Sequence, residues 1–228
     1  MASETPNLIT PKKLLAEADK FVRKHKQAVT IALAALIALP LLWFAYQKWY
    51  AEPRNQEAFD LMFKAEQYFA LDSFNLALNG GGDVTGFLTI TEEYGSTDAG
   101  NLAHYYAGIC LMRLGRFEEA IEHLKSFSSQ DVMVSSMALG ATGDCYRELG
   151  QSDKAVDYYL KAARRRPNNF TTPIFLKKAA MTCEEDLQNL EKAIALYAEI
   201  ERDYPTTREG QEIPKYLARA RAKAGVTD

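Results

Sequence analysis

Histidines, cysteines and clustered carboxylates are the side chains here that could do chemistry. His25, His104 and His123 stand far apart and read as isolated from one another. No cysteine pair has the spacing of a metal site, because Cys110, Cys145 and Cys183 lie in separate segments. Gly80-Gly81-Gly82-Asp83 has the glycine content of a phosphate loop. It lacks the Lys-Ser or Lys-Thr that must follow, and a helix rather than a strand precedes it, so it reads as a turn. Glu184-Glu185-Asp186 reads as a solvated helix end, and Asn169-Phe170-Thr171 fits the glycosylation acceptor pattern. None of these makes a nucleophile, general base or ligand set. The expectation is a non-enzymatic protein with no catalytic, cofactor-binding or metal-binding residues.

The element with the clearest physical signature is apolar. Gln27 to Gln47 runs without a formal charge, long enough for one helical crossing of about 30 Å of hydrocarbon. Lys12, Lys13, Lys20, Arg23, Lys24 and Lys26 precede it, whereas only Lys48 and Arg54 follow closely. That asymmetry predicts a cytoplasmic N-terminus and an external remainder. Trp43, Tyr46, Trp49 and Tyr50 gather at the exit end as an interfacial belt would, and membrane helices tolerate Pro40. The bulky exit also argues against a cleaved signal. The predicted layout is a cytoplasmic basic segment at 1–26, a transmembrane helix at 27–50 and a periplasmic domain at 51–228, joined by a short linker around Pro53. Thr10-Pro11 can start a basic helix with Leu14, Ala18, Phe21 and Val22 on one face, suited to an anionic lipid surface or merely continuing the membrane helix. Residues 1–9 read as disordered.

Of the chain's 27 basic and 30 acidic residues, six basic and three acidic ones precede the span. The remainder therefore carries 21 against 27, a net of −6, which argues against nucleic acid as a partner. Ala, Leu, Glu and Lys recur at helical spacing and alternating β patterns are scarce, so the class is all-α.

A sequence period organises those helices. Gly108, Leu114-Gly115, Phe117 and Ala120 recur 35 residues later as Gly143, Leu149-Gly150, Ser152 and Ala155. A weaker copy follows, with Ala180-Met181, Leu190 and Ala193. Cys110, Cys145 and Cys183 each fall ten residues before the alanine of their unit. Equivalent positions in stacked helices lie too far apart for a disulfide, so the cysteines read as small, buried and unpaired. These residues resemble the tetratricopeptide repeat, a helix–turn–helix unit. The predicted units span about 55–97, 101–134, 136–169 and 174–207, with a capping helix at 208–223. The first is degenerate: a helix from Asn55 to Asn79, the glycine turn, and a second helix from Val84 to Tyr94.

The resemblance implies protein binding along the face made by the first helices. In its register that face carries Leu102, Tyr105, Ile109, Met112 and Arg113, then Met137, Asp144 and Arg147, then Phe175, Lys178 and Thr182. The 55–79 helix either leaves these residues open or folds over them. The lysine and asparagine clamp by which some repeat proteins hold a C-terminal carboxylate is not visible.

Basic N-terminus, single span and external repeats together resemble the YfgM-like ancillary subunits of the bacterial Sec translocon. The stretch Phe87 to Thr97, leading into Ala103-His104-Tyr105-Tyr106-Ala107, is similar to that family's first external helices, and the whole chain resembles the membrane-anchored tetratricopeptide proteins of the Bacteroidetes type. The resemblance implies an inner-membrane location, partnership with SecYEG and a membrane-bound periplasmic isomerase chaperone, and client polypeptides passing to periplasmic chaperones. The alternative from a different class is a structural scaffold in another envelope complex for secretion, outer-membrane assembly or division.

Overall fold

The computed structural model describes residues 19–226, so the expectations for residues 1–9, Thr10-Pro11, Leu14 and Ala18 lie outside the described residues. The chain divides into two compact bodies, at residues 1–53 and 54–228.

In the first body, helical residues 19–24 lead into α1, Lys26–Tyr46, and a π-helical turn, Gln47–Ala51. Helix α1 buries no residue, and large apolar side chains such as Ile31, Leu36 and Trp43 are exposed around it. A helix apolar on every side and unburied has no protein core to face. It is long and apolar enough to cross a membrane. Tyr46 contacts both Trp43 and Tyr50, joining the aromatic residues of the exit end. Pro53 falls in the first turn of the next helix, α2 (Glu52–Ala70), so no irregular linker surrounds it.

The second body contains the remaining helices. They are α3 (Phe74–Asn79), α4 (Phe87–Tyr94), α5 (Asp98–Arg113), α6 (Phe117–Ser126), α7 (Val132–Glu148), α8 (Ser152–Arg164), α9 (Thr171–Glu185), α10 (Leu190–Asp203) and α11 (Arg208–Lys223). The expected single helix from Asn55 to Asn79 is broken. Asp72 takes a left-handed conformation, with φ 55°, and the N–H groups of Asp72 and Ser73 bond back to Phe69 and Tyr68. That arrangement ends a helix, and aspartate tolerates the conformation without advertising it as glycine does. The second expected helix starts late, because Val84–Thr85 first pairs antiparallel with Gly80–Gly81. Lys64 of α2 bonds the Asp83 carboxylate at the tip of this turn.

From Asp98 onward, three helix pairs follow: α5/α6, α7/α8 and α9/α10. Gly115 and Gly150, with φ of 76° and 69°, close α5 and α7 by the same bond pattern seen at Asp72. Inside the first two pairs a glycine admits the partner helix, whereas the third has Met181 at that position. A Cβ on Gly108 would come within 2.6 Å of Leu124, and one on Gly143 within 2.7 Å of the Tyr159 ring. Cys110, Cys145 and Cys183 are buried and free, as their shared register implied. Burial pushes the Cys110 and Cys145 thiols up to about 12, so neither offers a thiolate at neutral pH.

Two helix starts use one sequence device. Thr97 and Thr207 each accept the N–H of the glycine three residues on, Gly100 and Gly210. Each hydroxyl also donates to the carbonyl of the tyrosine three residues back, Tyr94 and Tyr204. This satisfies a first-turn donor and fixes the chain's entry into α5 and α11. Helix α11 buries Ile213, Leu217 and Ala220 against the last pair and so caps it. The fold is an all-α tetratricopeptide-type helical repeat with an N-terminal apolar helix.

Candidate protein-binding cleft

The first helices of the pairs, α5, α7 and α9, carry the residues expected to bind. Met112 and Arg113 of α5, Asp144 and Arg147 of α7, and Lys178 of α9 converge on a cleft of about 450 Å³. Phe117, Glu148 and Tyr159 complete its lining. Glu148 was readable in the sequence, because it stands 35 residues after Arg113. Phe117 and Tyr159 come from second helices, which a register drawn on first helices does not include.

Charge in the cleft is mostly matched within the repeat stack. Lys178 Nζ bonds both Asp144 carboxylate oxygens, at 2.7 and 2.8 Å, and Tyr159 donates to Asp144 Oδ1 at 2.7 Å. Arg147 Nε and Nη2 bond Asp186, and Nη2 also reaches Glu185 at 3.0 Å. The Arg147 hydrogen bonds hold the Asp186 carboxyl below its usual range. Arg113 is different: it is exposed, lies 5.8 Å from the Phe74 ring, and forms none of the ion pairs among the described residues. The cleft thus offers a fixed polar floor, two solvent-facing charges of opposite sign at Arg113 and Glu148, and apolar flanks at Met112 and Phe117.

The other expected residues lie elsewhere. Leu102, Tyr105 and Ile109 are half-buried against the same core cluster that Leu61, Tyr68, Phe69 and Phe74 of α2 and α3 join, and the Tyr105 ring meets Phe127. Phe69 and Tyr106 meet edge-on with ring centres 5.0 Å apart. At the other end of α5, Phe74 of α3 lies beside Arg113, and Met112 and Arg113 still line the cleft. Met137 is exposed, as a groove residue should be. Phe175 is not available: it is 2% exposed and occupies the space beside Gly140, where a Cβ would fall 1.9 Å from its ring. Glycine at one first helix creates a hole that the next first helix fills. Thr182 is also buried and bonds back to the Lys178 carbonyl.

Two expectations about charged groups are corrected by packing. His104 and His123 are not isolated, because the antiparallel α5 and α6 bring their Nδ1 atoms to 3.1 Å. Burial lowers both, and for His104 the neighbouring His123 lowers it further. Histidines depressed on folding take up protons more readily in the unfolded chain, so stability should fall as pH drops below about 6.5. Urea unfolding midpoints measured from pH 7.5 to 5.5 should show that slope, and His104→Gln with His123→Gln should flatten it. Glu184, expected at a solvated end, is 0% exposed and receives hydrogen bonds from Arg219, Lys223 and Tyr197.

Against known proteins, a family model for the N-terminal tetratricopeptide repeats region of Psidin matches residues 99–204. The matched span covers the three helix pairs described above, from α5 to the end of α10. A phagocyte signaling-impaired protein of Drosophila pseudoobscura pseudoobscura is 36% identical over 62 residues, 27% of this chain. Those residues are only 6% of that relative's length, so the likeness speaks for the repeat and not for the relative's whole activity. Glycine-spaced helix pairs, their closing turns and this match agree that residues 99–204 form a tetratricopeptide-type repeat region.

Proposed function

We propose that this protein is a membrane-anchored, non-enzymatic module that holds other polypeptides on the face formed by α5, α7 and α9. The observation that carries this reading is the open cleft spanning three consecutive first helices, with Arg113 free of acid partners among the described residues. An apolar flank beside a solvent-facing cation suits a peptide segment that pairs an apolar side chain with a carboxylate. Helix α1 anchors the module with its N-terminus cytoplasmic and its repeats periplasmic, in keeping with the basic residues before the span. By resemblance, the complex it joins is the Sec translocon with a membrane-bound periplasmic isomerase chaperone, and its clients are exported chains.

Purification from native membrane in mild detergent, followed by mass spectrometry, tests that assignment. Stoichiometric SecY, SecE and SecG are expected. A different envelope complex in their place would instead establish the scaffold role. The variant Arg113→Glu should lower recovery of bound polypeptide several-fold, as expected when a rim charge is reversed. Its unfolding midpoint should stay close to wild type, because the side chain is exposed.

A further inference from the structure

A second cavity, sharing no residue with the cleft, lies at the other end of α7. It holds about 260 Å³ and is bounded by α6, α7, α8 and the loop after α6. Its origin is a length difference between equivalent helices. Helix α6 has 10 residues, whereas α8 has 13 and α10 has 14. The missing final turn leaves the flank of α7 uncovered near Ala138 and Leu139.

The loop does not collapse into this space. Asn101 bonds Ser128 in both directions, donating to its carbonyl and accepting its N–H at 2.7 and 2.9 Å. Arg165 and Arg166 donate to the carbonyls of Ser129 and Gln130. Small side chains, Ser128, Ser129 and Ser135, stand where a packed interface would carry large apolar ones. The cavity is therefore held open in advance, a usual property of small-molecule sites.

Its lining defines what would fit. Leu124, Phe127, Ala138 and Leu139 supply an apolar wall, and Lys125 and Arg165 are its charged residues. No acidic residue lines it. Lys125 is exposed and has no hydrogen-bond or ion-pair partner among the described residues, and Arg165 has only the one bond through Nη2. We infer that this cavity binds a small organic carboxylate, its apolar group against Leu124 and Leu139 and its charge between Lys125 and Arg165.

The test uses the full chain in nanodiscs with labelled leucine and alanine methyls, titrated with 3-phenylpropionate. Saturable shifts confined to Leu124, Ala138 and Leu139 are expected, weakened at least tenfold in Lys125→Glu and with the uncharged 3-phenylpropionamide. The peptide Gly-Gly-Phe separates two sources of the same chemistry. Binding tighter than the free acid points to a polypeptide end, and weaker binding to a free metabolite. Absence of saturable shifts with every probe overturns the inference. So do shifts that persist unchanged with the amide and in Lys125→Glu, which would mark an adventitious additive only.

Discussion

Replacing Arg219 and Lys223 together with alanine should destabilise the repeat domain by about 3 kcal/mol, the low end of what stranding a buried charge costs. Glu184 is fully buried at the end of α9, and its two cationic partners both come from the capping helix α11. Burial pushes the carboxyl up, but hydrogen bonds from Arg219, Lys223 and Tyr197 outweigh it and hold the carboxyl below its usual value. Without the cations, burial dominates and the folded-state value rises. The low-end figure is used because both cations are about half exposed, so water can reach the gap they leave. The pH signature separates this account from loss of packing. Wild-type stability from Glu184 is complete above the unfolded carboxylate value and is lost as pH falls through the depressed folded value. In the double variant the penalty exists only while Glu184 is charged, so the gap to wild type should narrow as pH falls from 7 towards 4. Chemical unfolding across that range measures it, and a constant gap would contradict the mechanism.

The second large effect is expected at Gly140. Valine there should cost about 3 kcal/mol or more, at or above the usual range for overpacking. The first added atom would lie 1.9 Å from Phe175 Cε1 and 2.4 Å from Cζ. Phe175 has nowhere to go, since it packs in the cluster with Leu176, Ala179 and Tyr159. Two backbone stretches that carry rigid first helices would have to part. Phe175→Ala should also destabilise alone, by leaving a void. Combined with Gly140→Val, the two should cost less than the sum of the single changes, because the valine then occupies the emptied space. A double-mutant cycle on unfolding free energies reads this directly. Strict additivity would mean the two positions do not meet.

These two sites also show what could be seen in the residues alone. The period that ties Gly108 to Gly143, and Gly115 to Gly150, makes the first two helix pairs legible in the sequence, because each glycine answers a local demand for close approach or a left-handed turn. The spacing shared by Tyr94, Thr97 and Gly100 with Tyr204, Thr207 and Gly210 is legible for a similar reason: one threonine hydroxyl must sit three residues before the N–H it caps. Asp72 was not visible, since aspartate is common inside and outside helices and only its dihedral angle ends α2. Gly140 was passed over in the binding register, and with it the reason why Phe175 turns inward. His104 with His123, and Glu184 with α11, are meetings across 19 and 35 residues of chain that helical periodicity does not encode. Of the expected first-helix positions, Met112, Arg113, Asp144, Arg147 and Lys178 line one cleft. Leu102, Tyr105 and Ile109 are half-buried in the core cluster that α2 and α3 also join, and the path of those helices depends on the break at Asp72.

The same logic applies to function. Repeats, glycine turns and an apolar anchor can be read from residue type and spacing, whereas the partner is chosen by surface detail. Arg113 and Met137 remain exposed on the first-helix face and are the positions where the proposed binding is tested.

Site-specific photo-crosslinking in native membranes tests the central claim most directly. A photoreactive residue is placed at Arg113, Met137 or Glu148 on the first-helix face, and at Glu122 or Asp157 on second helices as exposed controls. The account predicts discrete protein adducts from the first three positions and none from the controls. Adducts from Glu122 and Asp157 with none from Arg113, Met137 and Glu148 would contradict it and move the binding surface to the other side of the repeats.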